Sequence, residues 1–277
     1  MAHQDFVSVR KTLAKRLSLF LPYAEADAES WRWFDEGLGW GRARIIAHGD
    51  ELVSREIENQ IDIWFNRRKD GEPWAYILGW TFWRGRRFHV TPATLIPRPE
   101  TELVLESTVQ LAMQIGAKHV VDVGTGTGIL GITLALETPV EVTATDISED
   151  ALTVARKNAK ELGVNLNWAC GNLLEPVIDT IELVVSNPPY VDFQDEATLQ
   201  RELSFEPRSA LFASDHGMEV VTKLIKQSIE KNAKGLVVEI GSGQGKHLRS
   251  RAVRMGWQTV DIRQDIAKHD RVLIARR

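Results

Sequence analysis

The 277-residue chain holds a single cysteine, Cys170. An internal disulfide is therefore excluded, and a reducing, cytoplasmic setting is expected. Cys170 lies between Trp168 and Gly171 near the end of an apolar run, with no histidine close by in sequence, so it reads as a buried packing thiol rather than a nucleophile. Long apolar runs are also missing. None approaches the roughly 20 residues of a membrane-spanning helix, and no membrane association is expected. The opening stretch "MAHQDFVSVRKTLAKRL" lacks the apolar block and small-residue cleavage site of a signal peptide. Seven histidines show no metal-ligand spacing and one cysteine cannot help them, so no metal is expected. A basic excess is absent too: the net charge is −4, with both signs interspersed. That balance argues against a chain that binds nucleic acid directly.

What is present changes character along the chain. Residues 1–72 read as a small all-helical domain. In "DELVSREIENQIDIWFNRR", Val53, Ile57, Ile61 and Trp64 recur at three- and four-residue steps and form one apolar stripe. Asp50 is the expected cap of that helix, and Arg67, Arg68 and Lys69 suit the negative end of its dipole. "AEADAESWRWFDEGLG" predicts a second helix, stopped by Gly37 and Gly39. Seven of the nine tryptophans fall before residue 84. They fill the core of a small bundle or lie on a partner-binding surface. Residues 73–98 carry two aromatic runs around "RGRR", which predicts a β-hairpin joining the domains, followed by a proline-punctuated connection.

From residue 99 to 277 the period is that of an α/β domain. "HVVDVG", "VEVTATD", "NLNWAC", "IELVVSN" and "GLVVEIG" are short strand-like runs separated by helical patterns. The pattern predicts a mostly parallel sheet covered on both faces. In "SEDALTVARKNAKELG", Ser148 is the expected cap and Gly163 the stop. The last two runs, "GWQTVDIRQD" and "DRVLIARR", are too close for a crossover helix and are expected to pair antiparallel at an edge.

Two motifs carry chemistry. "VVDVGTGTGILGITLA" places Gly124, Thr125, Gly126, Thr127 and Gly128 between the first strand and its helix, where a ligand can approach bare backbone. Asp146, about twenty residues on, can accept both hydroxyl hydrogens of a ribose. The loop alone leaves two ligands open. Gly126, Gly128 and Gly131 also spell the dinucleotide pattern of a nicotinamide enzyme, whereas Asp122 ahead of G-x-G-x-G suits S-adenosylmethionine. A second glycine cluster, "EIGSGQGKHL", has the wrong count for a phosphate loop and reads as a plain turn. The other motif is "SNPPYVD". In a doubly wound sheet the end of the fourth strand faces the glycine loop. Pro188 and Pro189 carry no N–H, so the segment offers acceptors and few donors; Asn187 adds a side-chain oxygen and Tyr190 a flat ring. Such a notch suits a planar NH2 group whose weakly nucleophilic nitrogen is to be methylated.

Here the chain resembles the S-adenosylmethionine-dependent methyltransferases with an [N/D]PP[Y/F/W] motif, and more closely the PrmC (HemK) protein-glutamine methyltransferases. "GEPWAYILGWTFW", "LIPRPETELVLE", "DVGTGTGILGITLA", "SNPPYVD" and "FEPRSALFASDHGM" carry the resemblance. It implies a helical N-terminal domain that docks the substrate, a hairpin linker and a class I, Rossmann-like methyltransferase domain. The implied reaction is N5-methylation of the glutamine in the Gly-Gly-Gln loop of class I peptide-chain release factors, leaving S-adenosylhomocysteine; a monomer is expected. By position, Gly124 to Gly128 would hold the methionine part of the cofactor, Asp146 its ribose, and Asn172 and Leu173 its adenine. Asn187, Pro188, Pro189 and Tyr190 would bind the glutamine amide and carry catalysis, with Asn187 also beside the cofactor. Arg98, Glu100 and Thr101 would lie over the mouth of the site. Asn172 stands where many relatives carry Asp, which would weaken the bond to the adenine amino group. The rival readings are a glutamine methyltransferase acting on a ribosomal protein, a DNA amino-methyltransferase, a nicotinamide oxidoreductase that leaves Asn187 to Tyr190 without a role, and an idle S-adenosylmethionine-binding module.

Overall fold

Asp5 starts the first helix: its carboxylate accepts from the Ser8 N–H at 2.7 Å, satisfying one of the donors that a helix start leaves open. The computed structural model describes residues 4–277. It comprises two units, Met1–Leu78 and Gly79–Arg277. The first contains helices α1 (Phe6–Leu17), α2 (Tyr23–Arg32), α3 (Arg42–His48), α4 (Arg55–Lys69) and α5 (Trp74–Leu78). Helix α2 runs on through one π-helical turn, Trp33–Gly37. The cap of α4 is Ser54, whose hydroxyl accepts from Ile57 N at 3.4 Å, and not Asp50. Asp50 sits in the turn that closes α3, too early to reach the α4 donors. Residues 74–78, expected to enter the hairpin, are helical instead. Pro73 opens that turn, because a first helical position needs no N–H and its carbonyl accepts from Tyr76 N and Ile77 N.

Most of the clustered tryptophans are interior. Trp33 and Trp74 stack at 4.6 Å between ring centroids, and Trp64 meets both edge-on. The indole N–H of Trp74 finds Glu36 at 2.7 Å, so the polar end of that ring is not stranded. Trp31 stays half-buried, with the Arg10 guanidinium 4.2 Å over its ring.

The second unit opens with the hairpin β1 (Trp80–Trp83) and β2 (Arg86–His89), turned by Arg84 and Gly85, both at positive φ as a two-residue turn requires. After α6 (Thr101–Ile115) the alternation begins: β3 (His119–Val123), α7 (Ile129–Glu137), β4 (Glu141–Asp146), α8 (Glu149–Leu162), β5 (Asn167–Cys170) and β6 (Leu183–Ser186). Two short strands, β7 (Val191–Asp192) and β8 (Phe212–Ala213), flank the short helix α9 (Arg208–Leu211) and pair with each other. Then follow α10 (Glu219–Glu230), β9 (Gly235–Glu239), α11 (Gly245–Met255), β10 (Thr259–Gln264) and β11 (Asp270–Arg276).

The seven-stranded sheet runs β10-β11-β9-β6-β3-β4-β5. Its strands are parallel except β11, which pairs antiparallel with both β9 and β10. The expected terminal hairpin is present, with β10 rather than the last strand on the edge. Ser148 and Gly163 cap α8 as expected, Gly163 at φ 72°. Cys170 departs from expectation: it is exposed, because β5 is the opposite edge of the sheet and its end lies at the surface.

Alternation along the strands divides the core in two. Val121, Val184, Leu236 and Val238 join one apolar layer, while Val120, Val185 and Val237 join the other. The α6 and α7 side also receives Asp122, two residues beyond Val120, and Glu239, two residues beyond Val237. Both carboxylates are 1% exposed. Among the described residues no helix is long and apolar enough to cross a membrane, and no group of three or more His, Cys, Asp and Glu could hold a metal ion.

Candidate active site

The parallel pairing of β3 with β6 brings Val123 opposite Ser186. The glycine loop and "NPPY" therefore leave the sheet side by side at its carboxyl end, where open α/β sheets bind ligands. They border a cavity of about 350 Å³ that is lined by Gly124 to Thr127, Asp146, Asn172, Leu173, Asn187, Pro188, Pro189 and Thr101. Gly128, Tyr190 and Arg98 are not in its lining. Gly128 serves the backbone: at φ 82° it begins α7, and a Cβ there would meet Ile132 Cδ1 at 2.6 Å.

Two acids shape the floor. Asp146 accepts from Gly126 N and from Ser148 N, each at 2.9 Å, which fixes the loop to the end of β4. Burial raises its pKa, while those N–H groups oppose the shift. Asp122 holds Thr125 Oγ1 at 2.6 Å and Gly131 N at 2.9 Å through one oxygen. Its other oxygen, Oδ1, is buried without a partner. Burial pushes the Asp122 carboxyl up to about 6. A buried, orphaned acceptor on the wall of a cavity is costly unless a ligand donor meets it. The ammonium end of S-adenosylmethionine is such a donor, and the cavity has room for a ligand of that size, so these residues fit the group.

The opposite wall is acceptor-rich. The Asn187 amide nitrogen donates to Thr101 Oγ1 at 3.0 Å, and among the described residues nothing donates to its oxygen. Among the described residues no hydrogen bond reaches the Pro188 carbonyl either. Thr101 in turn donates to Glu239 Oε2 at 3.1 Å, and the Tyr190 hydroxyl donates to Glu239 Oε1 at 3.1 Å. Burial drives the Tyr190 hydroxyl well above the usual phenol value, helped by the neighbouring Glu239 charge. Burial likewise raises Glu239 to about 7, against the hydrogen bonds from Thr101 and Tyr190. The Tyr190 backbone is held separately: Gln244 Nε2 donates to the Tyr190 carbonyl at 3.0 Å and to the His216 carbonyl at 3.0 Å.

The mouth is tied by Glu206, which is 4% exposed. It accepts from Ile96 N at 3.1 Å and pairs with Arg98, so "IPRPE" is joined to "FEPR". Arg98 thus faces a carboxylate of its own chain. Glu100 is exposed. Glu206 and Glu239 escaped the sequence reading. The available signal for Glu239 was an acid continuing the inward-facing alternation of "GLVVE"; Glu206 offered none beyond its place beside Pro207.

The sheet order, the glycine loop on β3 and the acid at the end of β4 define a class I S-adenosylmethionine-dependent methyltransferase. Residues 101–206 match the methyltransferase small domain and residues 11–79 the PrmC N-terminal domain. The release factor glutamine methyltransferase of Neisseria gonorrhoeae is 38% identical over 241 residues, 85% of this chain and 88% of the relative. That of Escherichia coli is 36% identical over 244 residues, 86% and 87%. The chain belongs to the release factor glutamine methyltransferase family. Among solved structures, the hMettl16 catalytic domain in complex with MAT2A 3′UTR hairpin 6 shares the fold, with TM-score 0.57, 15% identity and coverage of 82% of this chain and 84% of that one. The ribosomal protein L11 methylase of Lactobacillus delbrueckii subsp. bulgaricus gives TM-score 0.50 at 22% identity, covering 68% and 84%.

Proposed function

We propose that the chain methylates the side-chain amide nitrogen, N5, of the glutamine in the Gly-Gly-Gln loop of class I peptide-chain release factors, in the cytoplasm. S-adenosylmethionine supplies a methyl group activated on a sulfonium. The family supports the release factor as substrate, and the acceptor-rich wall at Asn187 and Pro188 is the single observation that carries the amide.

An amide nitrogen is a poor nucleophile because its lone pair is delocalised into the carbonyl. Asn187 Oδ1 and the Pro188 carbonyl would each take one N–H of the target, which localises the pair and aims it into the cavity. Holding the nitrogen in line can supply roughly 7–11 kcal/mol of a barrier at the extreme. Its proton becomes acidic only as the new C–N bond forms and leaves to solvent, so no residue of unusual basicity is required beforehand. Gly124 to Thr127 and Asp122 would hold the methionine part of the cofactor, Asp146 its ribose, and Asn172 with Leu173 its adenine. The helical domain, residues 1–72, would dock the protein substrate.

The test is mass spectrometry of a release factor incubated with the protein and S-adenosylmethionine. One methyl on the Gly-Gly-Gln glutamine is expected, and Asn187→Ala is expected to lower its rate by roughly 10²–10³-fold with cofactor binding largely kept, as for loss of one preorganised polar contact. Methyl on duplex DNA and none on protein would overturn the proposal, as would near-native turnover by Asn187→Ala.

A further inference from the structure

We infer that Glu239 is a positioning residue: through Thr101 it sets which way round the Asn187 amide stands, and through Tyr190 it anchors the other end of the same wall. The inference rests on the reading that Asn187 grips the target amide.

The argument is one of donors and acceptors. An ionised carboxylate can only accept. Glu239 is buried at the end of β9 with both oxygens engaged, by Thr101 Oγ1 and Tyr190 OH, each at 3.1 Å. The single proton of the Thr101 hydroxyl is therefore spent on Glu239. What remains on that oxygen is lone pair, so its contact with Asn187 at 3.0 Å has to be made by the Asn187 NH2 group. The carboxamide is consequently locked with Oδ1, its acceptor, free for the substrate. Turned over, Asn187 would present two N–H groups to another NH2 group and hold nothing. Two residues far apart in sequence, and a strand end on the helix α6 side of the sheet, thus give the wall its polarity.

Protonation would undo this. A neutral Glu239 can donate to Thr101, whose hydroxyl could then donate to Asn187 and favour the reversed amide. Two charged groups act on Glu239, Glu100 ahead of α6, which raises its pKa, and Arg271 on β11, which lowers it, while Thr101 and Tyr190 donate to it. Burial outweighs the rest and brings the carboxyl to about 7.

The experiment measures kcat, KM for the release factor, cofactor affinity by calorimetry and Tm for Glu239→Gln, Thr101→Val, Thr101→Ser and the Glu239→Gln, Thr101→Val pair. Glu239→Gln keeps the shape and removes the obligatory acceptor; a kcat loss of roughly 10- to 100-fold is expected, with cofactor affinity and Tm nearly unchanged. Thr101→Val should lose as much, and Thr101→Ser, which keeps the hydroxyl, should recover most of it. The double variant should be no worse than either single one, because both break one relay. The wild-type kcat should fall on acidification through about pH 7, and that limb should vanish in Glu239→Gln. Additive losses, a Glu239→Gln enzyme with native kcat, or a kcat loss matched by equal losses of cofactor binding and Tm would each overturn the relay. Should Glu239→Gln not fold, the contrast between Thr101→Val and Thr101→Ser decides alone. If Asn187→Ala abolishes transfer while the relay variants do not, only this inference falls; if Asn187→Ala stays active, the reading of the site falls first.

Discussion

Gly217→Ala tests whether the placement of Tyr190 depends on clearance behind it. Gly217 has φ 76°, and a Cβ built on it lies 2.0 Å from the Tyr190 carbonyl oxygen and 2.7 Å from Gln244 Nε2. The first of these neighbours is backbone and cannot rotate away. To restore even a tight contact, the Tyr190 carbonyl or the 215–217 turn has to move by about 1 Å, which also strains the Gln244 bond to Tyr190 at 3.0 Å. Left-handed backbone adds roughly 1–2 kcal/mol for a residue with a Cβ. Together with overpacking of about 1–3 kcal/mol, the variant should be less stable by roughly 2–5 kcal/mol, a Tm drop of about 4–10 °C. A displacement of about 1 Å at an acceptor wall costs on the order of 10²-fold in rate. The expected result is therefore a folded enzyme with kcat reduced about 10²-fold. Its cofactor Kd should stay within roughly threefold, since Gly217 does not line the cavity. Gln244→Met is the companion variant: it removes the clamp without a clash and should show a smaller kcat loss in the same direction. A Gly217→Ala enzyme with kcat within threefold of wild type, measured on release factor well below its Tm, would refute the reasoning.

Asp146→Ala removes the acceptor for Gly126 N and Ser148 N along with the proposed ribose contact, so calorimetry should show cofactor affinity reduced by about 10- to 100-fold. Glu206→Ala leaves the buried Ile96 N–H and the partly exposed Arg98 without their carboxylate; urea unfolding should report a loss of about 2–3 kcal/mol, below the value for a fully buried pair because Arg98 reaches solvent. Glu182 is held by Lys234 and by the N–H groups of Lys118 and His119, which lowers its pKa from 4.5 to about 2. A depressed carboxyl stabilises the fold fully above its unfolded value and progressively less as pH falls toward its folded value. The urea midpoint of the wild type should therefore decline between about pH 5 and 2, and Glu182→Gln should remove part of that decline; parallel curves for the two would count against it.

How much of this could be read from sequence depended on the range of the interaction. The Val- and Ile-rich runs and the local caps, Ser148 and Gly163, are written within a few residues of where they act, and the parallel sheet followed from the alternation of those runs with helical patterns. "NPPY" beside the glycine loop was legible because one topological rule, not a contact list, puts β6 next to β3. Local reading went astray where several acceptors competed: Asp50 and Ser54 both precede α4, and only the turn at residues 49–50 decides between them. Cys170 misled because apolar neighbours suggest a core strand, whereas an edge position is a property of the whole sheet. Glu239 lies 138 residues from Thr101, and Glu206 lies 110 from Ile96. Nothing in composition or spacing pairs residues so distant. A lone acid at the inward register of an apolar strand does signal that a partner is required, since a buried carboxylate without donors is expensive.

That signal also explains the substitution at the far end of the cavity. Asn172 donates its amide hydrogen to Glu175 at 2.8 Å, so here too a carboxylate that can only accept commits the NH2 group of an asparagine. The oxygen of Asn172 is left as an acceptor, which is what a carboxylate would have offered an adenine amino group at that position; only the charge is missing. The proposed cofactor and target contacts thus share one device, an asparagine turned by a glutamate toward an NH2 group. The two differ in how firmly the device is held. Asn172 and Glu175 are exposed, where water can substitute for either partner of the bond. Asn187 is set by Glu239, from which water is excluded and where a reversed amide would leave buried groups unpaired. Polarity is therefore enforced most strongly at the end of the cavity where the incoming nitrogen has to be both recognised and aimed. It is enforced least where binding alone is required.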